Sequence, residues 1–371
     1  MEENILSGSY SKEDVVFLLK EITGLITEMS NDYRENAIQS GTHYSEMLPI
    51  EYHPTEEYMK IFYETLDQTK LKMATLVSIL GDKIIKNRGN NVVLVSLARA
   101  GTPIGILIKR YIKFKYDITL PHYSISIIRD KGIDKNALQY ILENHPGYTL
   151  QFVDGWTGKG VIQDTLIKAC NNFYEEMGIK LDSDLAVLSD PAYCTNTYAT
   201  REDFLIPSAC LNSTVSGLMS RTVLNDAFIS KSDFHGAKFY KEWVSMDVSN
   251  LFIDTITDEF ALAEKSLKAL EYSAQSSDTE ALPNYKGLED VHKIQKMLNI
   301  ENVNLIKPGV GETTRVLLRR IPWKILVDSL ENPNLKHILK LAEDRNVPVE
   351  VYEDMSYSCC GVIKPKELGD V

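Results

Sequence analysis

Twice in this chain an aliphatic run stops at a loop of small residues and gives way to a helical pattern. That repetition narrows the fold more than any other feature. Residues 91–97 read NVVLVSL and residues 149–154 read TLQFVD. Runs of this kind, without polar alternation, belong to strands covered on both faces. Helical patterns follow at 104–111 and 161–176, and further strand candidates lie at 118–128 and 185–188. Strands alternating with helices at this spacing predict an α/β fold, a mainly parallel sheet with flanking helices.

Upstream, Ser11, Lys12, Glu13 and Asp14 have capping-box spacing before the apolar run 15–19, which predicts a helical start to the first forty residues. Residues 57–86 carry a second helical pattern. At 371 residues the chain exceeds the size at which one core stops growing. The expected division is a large domain over 1–272, a polar linker over 273–287 containing Pro283, and a small α/β domain over 288–371. In that last part, helices are expected at 311–320 and 333–345 and strands at 324–327 and 347–352.

No run approaches the ~20 apolar residues of a membrane span, and the start lacks a basic leader, so a cytoplasmic protein with no membrane partner is expected. Five cysteines at irregular spacing argue for reduced thiols. A net charge of −12 argues against non-specific coating of nucleic acid but leaves room for a local basic site.

The loops carry the chemistry. Asp154, Gly155, Trp156, Thr157, Gly158, Lys159 and Gly160 join the second strand to its helix. A helix N-terminus presents unpaired N–H groups and partial positive charge, and glycines admit a phosphate closely. Asp154 at the strand end suits ribose hydroxyls or a hydrated Mg2+, and Thr157 a phosphate oxygen. Alone, such a loop reads equally well as an ordinary tight connection, and it matches neither the Walker A nor the dinucleotide spacing. The first loop, Ala98, Arg99, Ala100, Gly101 and Thr102, adds a guanidinium fork suited to a diphosphate. Two such loops about 50 residues apart suit one ligand with phosphates at both ends, 5-phosphoribosyl 1-diphosphate.

This pair of loops resembles the diphosphate and ribose-phosphate loops of type I phosphoribosyltransferases. With the stretch from Phe152 to Gly160, the Ser7-Gly8-Ser9-Tyr10 start and His43-Tyr44-Ser45-Glu46-Met47, the chain is most similar to phosphoribosyltransferase-like proteins of bacterial tellurite-resistance-type gene clusters, over roughly residues 5–265. The resemblance implies an enzyme of a stress response that transfers ribose 5-phosphate to a base, nucleoside-like or RNA acceptor, with Mg2+ as cofactor and no direct metal ligand beyond Asp154. It also implies pairing into a homodimer. Gly155 stands where ordinary members carry a second acidic residue, which leaves binding without catalysis open. His122, Arg129, Lys131, Ser213, Thr214, Ser216 and Arg221 are candidate contacts to the acceptor or diphosphate.

A competing reading makes Cys210 a nucleophile. Similar proteins carry the label of StiP-type cysteine proteases, which implies Cys210 with His43, His122 or His235 brought near it. A cysteine between Ala209 and Leu211 reads equally as a small buried hydrophobe. Cys194 is a weaker candidate, and adjacent Cys359 and Cys360 do not form a zinc motif.

Near the end, Lys307, Thr313, Thr314, Arg315, Arg319 and Arg320 surround a helix start, with Arg315 and Arg319 on one face. Residues 304–365 resemble the Pelota-type, L7Ae-like RNA-binding domain, which implies RNA as a partner through these residues. Ten Lys/Arg against eleven Asp/Glu over 300–371 leave that part at −1, so any RNA contact is local.

Overall fold

The computed structural model describes residues 6, 8–273 and 282–364. Along the chain run β1 (Val16–Phe17), β2 (Lys20–Glu21), β3 (Glu28–Met29), α1 (Asn31–Gln39), β4 (Leu48–Pro49), α2 (Glu56–Arg88), β5 (Val92–Ala98) and α3 (Gly101–Tyr116). Then come β6 (His122–Ile128), β7 (Gly132–Ile133), α4 (Lys135–Asn144), β8 (Thr149–Trp156), α5 (Val161–Met177), β9 (Leu185–Ser189), β10 (Tyr198–Thr200) and β11 (Gly236–Ala237). The remainder is α6 (Ser249–Thr257), α7 (Phe260–Ser273), α8 (Lys286–Met297), β12 (Ile306–Pro308), α9 (Val310–Arg319), β13 (Pro322–Val327), α10 (Lys336–Asp344), β14 (Val349–Val351) and β15 (Cys359–Ile363).

The main sheet has the order β1-β6-β5-β8-β9-β10, all parallel, with β7 antiparallel on β6. Alternation within β5 explains why its sequence looks uniformly apolar. Val92 and Leu94 pack into the core built with α2 and α3, whereas Val93, Val95 and Leu97 pack against α4 and α5 on the other face. The chain leaves β5 to one side for β6 and crosses to the other side for β8, so β5 and β8 flank the switch point where α/β sheets receive ligands. Gly101 is required there. A Cβ on it would stand 2.4 Å from the Val153 carbonyl oxygen, because α3 starts against the backbone of β8.

The expected helical start is corrected. Residues 15–19 are extended, with β1 parallel to β6 at the sheet edge, Leu18 N–H donating to Ser124 O at 3.0 Å and Leu6 N–H to Leu19 O at 2.9 Å. Val15, Phe17, Leu18 and Leu19 are all buried, and a short run buried on every side fits strand and helix equally by pattern. The Ser11 side chain does accept from the Glu13 N–H, but it closes a turn. The expected linker falls mainly on 274–281, outside the described residues, as do Ser7 and Pro365.

The second sheet has the order β12-β15-β13-β14, with β12 and β13 antiparallel to β15 and β14 parallel to β13. It packs directly on the first part, because Val310, Leu317, Ile325 and Leu335 belong to the same core cluster as α2 and α3. Polar contacts seal the seam. Asp203, 7% exposed, accepts from Val310 N–H and Ser358 N–H, each at 2.9 Å. Gly287 fits under Tyr357 and Ala192, where a Cβ would lie 2.2 Å from the Tyr357 hydroxyl.

Burial pushes the Asp203 carboxyl up to about 7, against the pull of its Val310, Ser358 and Cys359 donors. A raised carboxyl stabilises the folded state while protonated, and that contribution fades as pH climbs from about 4 through about 7. Asp203→Asn puts an amide group against one of these N–H donors and lowers stability at pH 5 by about 1–3 kcal/mol. The gap between the two chains in thermal unfolding is expected to narrow from pH 5 to pH 8. A gap that widens would show instead that the fold holds this carboxylate ionised.

Candidate functional site

At the switch point the two sequence loops do meet, since Ser96 pairs with Val153 and both strands end side by side. The Ala98–Arg99 peptide bond is cis. Arg99 donates from Nη1 to Met219 O at 3.0 Å and pairs with Glu51 Oε1 at 3.4 Å. The same Glu51 oxygen accepts Ser213 N–H at 3.0 Å. One buried carboxylate therefore grips both the first loop and the segment 211–213. Thr102 and Ala100 face inward: Thr102 Oγ1 is 2.7 Å from Ser124 Oγ, fully buried, and Ala100 is the N-cap of α3.

The second loop is covered. Tyr357 Oη donates to Gly158 O at 2.8 Å, Lys159 Nζ to Val303 O at 2.6 Å, and Thr157 Oγ1 to Asp190 Oδ1 at 2.5 Å. A Cβ on Gly160 would stand 3.3 Å from the Tyr285 ring. Trp156 carries the Arg315 guanidinium 5.4 Å from its ring centroid and has Gly311 beside it. The loop that sequence assigned to a ribose phosphate thus serves here as a docking surface for the C-terminal part. Asp154 Oδ1 accepts Gly155 N–H at 2.8 Å, and burial pushes its carboxyl up to about 7 despite that bond and the Arg315 charge. Among the described residues no group of three His, Cys, Asp or Glu converges to hold a metal ion.

Asp190 is the hub beside this loop. Fully buried, it accepts from Thr157 Oγ1, Cys194 N–H and Thr195 N–H and pairs with Arg201. Sequence reasoning passed over Asp190, Glu51 and Asp203. The signal available was weak: an acidic residue just after the strand end for Asp190, and a loop leading into the Thr55 helix cap for Glu51.

Two adjoining cavities open at the seam. The larger, about 820 Å³, is lined by Arg34, Glu51, Tyr52, His53, Arg99, Asn212, Ser213, Thr214 and Arg221 from the first part and Lys307, Glu312, Arg315 and Arg320 from the second. The smaller, about 200 Å³, is lined by Arg99, Ala100, Ser208, Leu211, Asn212, Ser216 and Arg315. Cys210 ends the turn Pro207–Cys210 between Ser208 and Leu211, and it is fully buried. Arg315 Nε donates to Ala209 O at 3.0 Å, and Gly311 packs on the Ala209 side chain, so α9 caps this turn.

The remaining sequence candidates are dispersed. His122 is held by Ser96 Oγ at 2.7 Å and Asp14 O at 2.8 Å, and burial lowers it to about 3. His235 Nδ1 meets Ser126 Oγ, and His43 Nδ1 meets Ser45 Oγ. Arg129 pairs with Asp130 at the surface, with exposed Lys131 next to it, while Arg221 lies over the Tyr44 ring at 4.7 Å. Ser216 Oγ donates to Asn212 O. In the C-terminal part Thr313 Oγ1 bonds Lys307 O and Thr314 Oγ1 bonds Val310 O, both turned into the fold and away from any ligand. The side chain of Arg319 lies outside the described residues.

No helix among the described residues is long and apolar enough to cross a membrane. Residues 8–257 match the model of the "tellurite-like stress resistance cysteine protease StiP" family, and residues 285–365 match the PELOTA RNA binding domain. A protein of Acinetobacter baylyi named cysteine protease StiP is 34% identical over 94% of this chain and 91% of its own length. Among solved structures, a xanthine-guanine-hypoxanthine phosphoribosyltransferase of Helicobacter pylori overlaps 37% of this chain and 81% of its own at 16% identity and TM-score 0.22. A hypoxanthine phosphoribosyltransferase of Trypanosoma cruzi overlaps 49% and 93% at 10% identity and TM-score 0.27. Scores that low bear on neither fold nor activity. The expected transfer of ribose 5-phosphate is therefore corrected, since the matching family and the full-length relative are both described as cysteine proteases. From 8 to 257 the match takes in both switch-point loops and the Cys210 turn, and the chain belongs to the StiP family, with a PELOTA domain at its C-terminal end.

Proposed function

We propose that the chain is a thiol hydrolase of peptide bonds with Cys210 as its nucleophile. Membership of a family described as cysteine proteases carries this reading, and the geometry supports the choice of cysteine. The thiolate is the attacking species, so a thiol held protonated is a poor candidate. All five cysteines are buried, and burial pushes Cys170 and Cys360 up to about 12 and raises Cys194 and Cys359 as well, so what sets Cys210 apart is its place beside a cavity. Cys194 is also 3.5 Å from the Asp190 carboxylate, which opposes a second negative charge. The Cys210 turn contributes neighbours to a cavity, with Ser208 on one side and Leu211 on the other.

In the reaction Cys210 Sγ attacks the peptide carbonyl carbon, the amine departs with a proton, and water releases the acyl group from sulfur. Negative charge develops on the carbonyl oxygen in both steps. Arg99 and Arg315 line the same small cavity and supply positive charge to it. Glu51 keeps Arg99 and the 211–213 segment in register, which makes it a positioning residue.

In this closed arrangement α9 covers the turn, so substrate reaches Cys210 after the Arg315–Ala209 contact releases. Cys210→Ala is expected to lower hydrolysis of a casein substrate by at least about 10³-fold while a cooperative thermal unfolding transition is retained. Activity at the wild-type level in that variant would discard Cys210. Arg315→Ala is expected to speed alkylation of Cys210 by iodoacetamide about tenfold or more, read by peptide mass, because one capping contact is gone. An unchanged labelling rate would show that α9 is not the cover.

A further inference from the structure

The large cavity gathers positive charge from both parts of a strongly acidic protein. Six of its lining residues are Arg or Lys and two are Glu, whereas the whole chain stands at −12. The charges are close enough to oppose one another. Arg221 is brought down to about 10 by burial first, then by Arg34, Arg99 and Arg129. Lys307 is lowered by burial first, with Arg320 and Arg129 adding to it, and Lys159 falls to about 8 through burial, Lys307 and Arg129. The cations that line the cleft come from both sides of the seam, and Arg129, after β6 and outside the lining, is near enough to act on Arg221, Lys307 and Lys159. Like charges pressed together cost stability unless an anion occupies the space between them.

We propose that this cleft holds a short stretch of single-stranded RNA, whose phosphates bridge Arg221 and Arg99 of the first part to Lys307 and Arg320 of the PELOTA-matching part. Two observations favour RNA over an acidic peptide. The second wall belongs to residues 285–365, which match an RNA-binding domain. Rings accompany the cations: Tyr52 is 62% exposed at the cleft, and His53 stands beside it, 4.6 Å from the Trp243 ring. Unpaired bases stack on such rings, which carboxylate side chains do not need. The PELOTA-matching part carries too little positive charge of its own, ten Lys/Arg against eleven Asp/Glu over 300–371. An enclosed cleft admits a few unpaired nucleotides, while a duplex is recognised over about 16 base pairs of open face. RNA recognition would thus be a property of the seam, with the first part supplying half of the cations.

The test uses the full chain, fluorescence anisotropy and a fluorescein-labelled 12-nucleotide oligo(U). Arg320→Ala, at an exposed position, and Arg221→Ala are each expected to weaken binding about 3- to 10-fold at 100 mM salt. Each should also reduce the slope of log K against log salt by about 0.7 per lost phosphate contact. Cys210→Ala should bind as the wild type does, which separates this site from the nucleophile. Absence of oligo(U) binding would overturn the proposal, as would unchanged affinity in Arg221→Ala beside a loss in Arg320→Ala. Binding of poly-glutamate in place of oligo(U) would assign the cleft to acidic peptides and overturn it equally.

Discussion

A carboxylate withdrawn from water must be given donors, and Asp203 receives its donors from across the seam. Val310 N–H begins α9 and Ser358 N–H precedes β15, so one side chain from the first part fixes the two elements that face it. Much else follows from that placement. With α9 anchored there, Gly311 comes to rest on Ala209, Arg315 reaches the Ala209 carbonyl, and Trp156 is covered. With β15 anchored, Tyr357 points its hydroxyl at Gly158 and closes the loop below. The two cavities are the space left over, bounded on one side by the C-terminal part and on the other by the loop after β5 and segments 49–55 and 208–216.

The switch point therefore has a divided use. On the β8 side the glycine-rich loop is filled by protein groups that supply the contacts an anion would otherwise make, including a tyrosine hydroxyl and a lysine held by a main-chain carbonyl. On the β5 side Arg99 stays at the cavity wall, because Glu51 and Met219 O hold it without covering it. A loop motif predicts that a backbone can receive an anion. It cannot say whether another part of the same chain arrives first, and here the part that arrives begins more than a hundred residues downstream.

That distinction sets how much was legible in the sequence. The runs that became β5 and β8, the helix expected over 57–86 that became α2, and Gly101 between strand and helix all report local constraints: burial on two faces, a 3.6-residue period, and a backbone passing close by. The α/β order and the small second sheet followed from them. The start of the chain did not, because residues 15–19 pair with a strand about a hundred positions away, and an apolar run of five carries no period to separate strand from helix. The site was less legible still. Asp203, Asp190 and Glu51 are ordinary acidic residues in sequence and become decisive only when the fold removes them from water and aims backbone donors at them. Of the cysteines, Cys210 was visible as a residue, but its relation to two cavities is a property of the seam.

The sign of the charge connects these features. An overall −12 repels polyanions at a distance, so a long nucleic acid is not drawn to the surface at large. Within the cleft the balance reverses, and low-dielectric walls such as Leu211, Val316 and Leu318 let the clustered guanidiniums act strongly over a short range. Such an arrangement favours a ligand that enters the cleft over one that slides along the outside. The same walls end at the Cys210 turn, where Arg99 and Arg315 face both cavities. Whatever fills the larger space changes the charge felt in the smaller one, and Arg315 also holds α9 against the backbone segment that carries Cys210. On the proposed reading, occupation of the cleft and exposure of Cys210 are coupled through one side chain. A ligand that draws the Arg315 guanidinium towards its own negative charge necessarily weakens the bond to the Ala209 carbonyl that keeps the thiol covered.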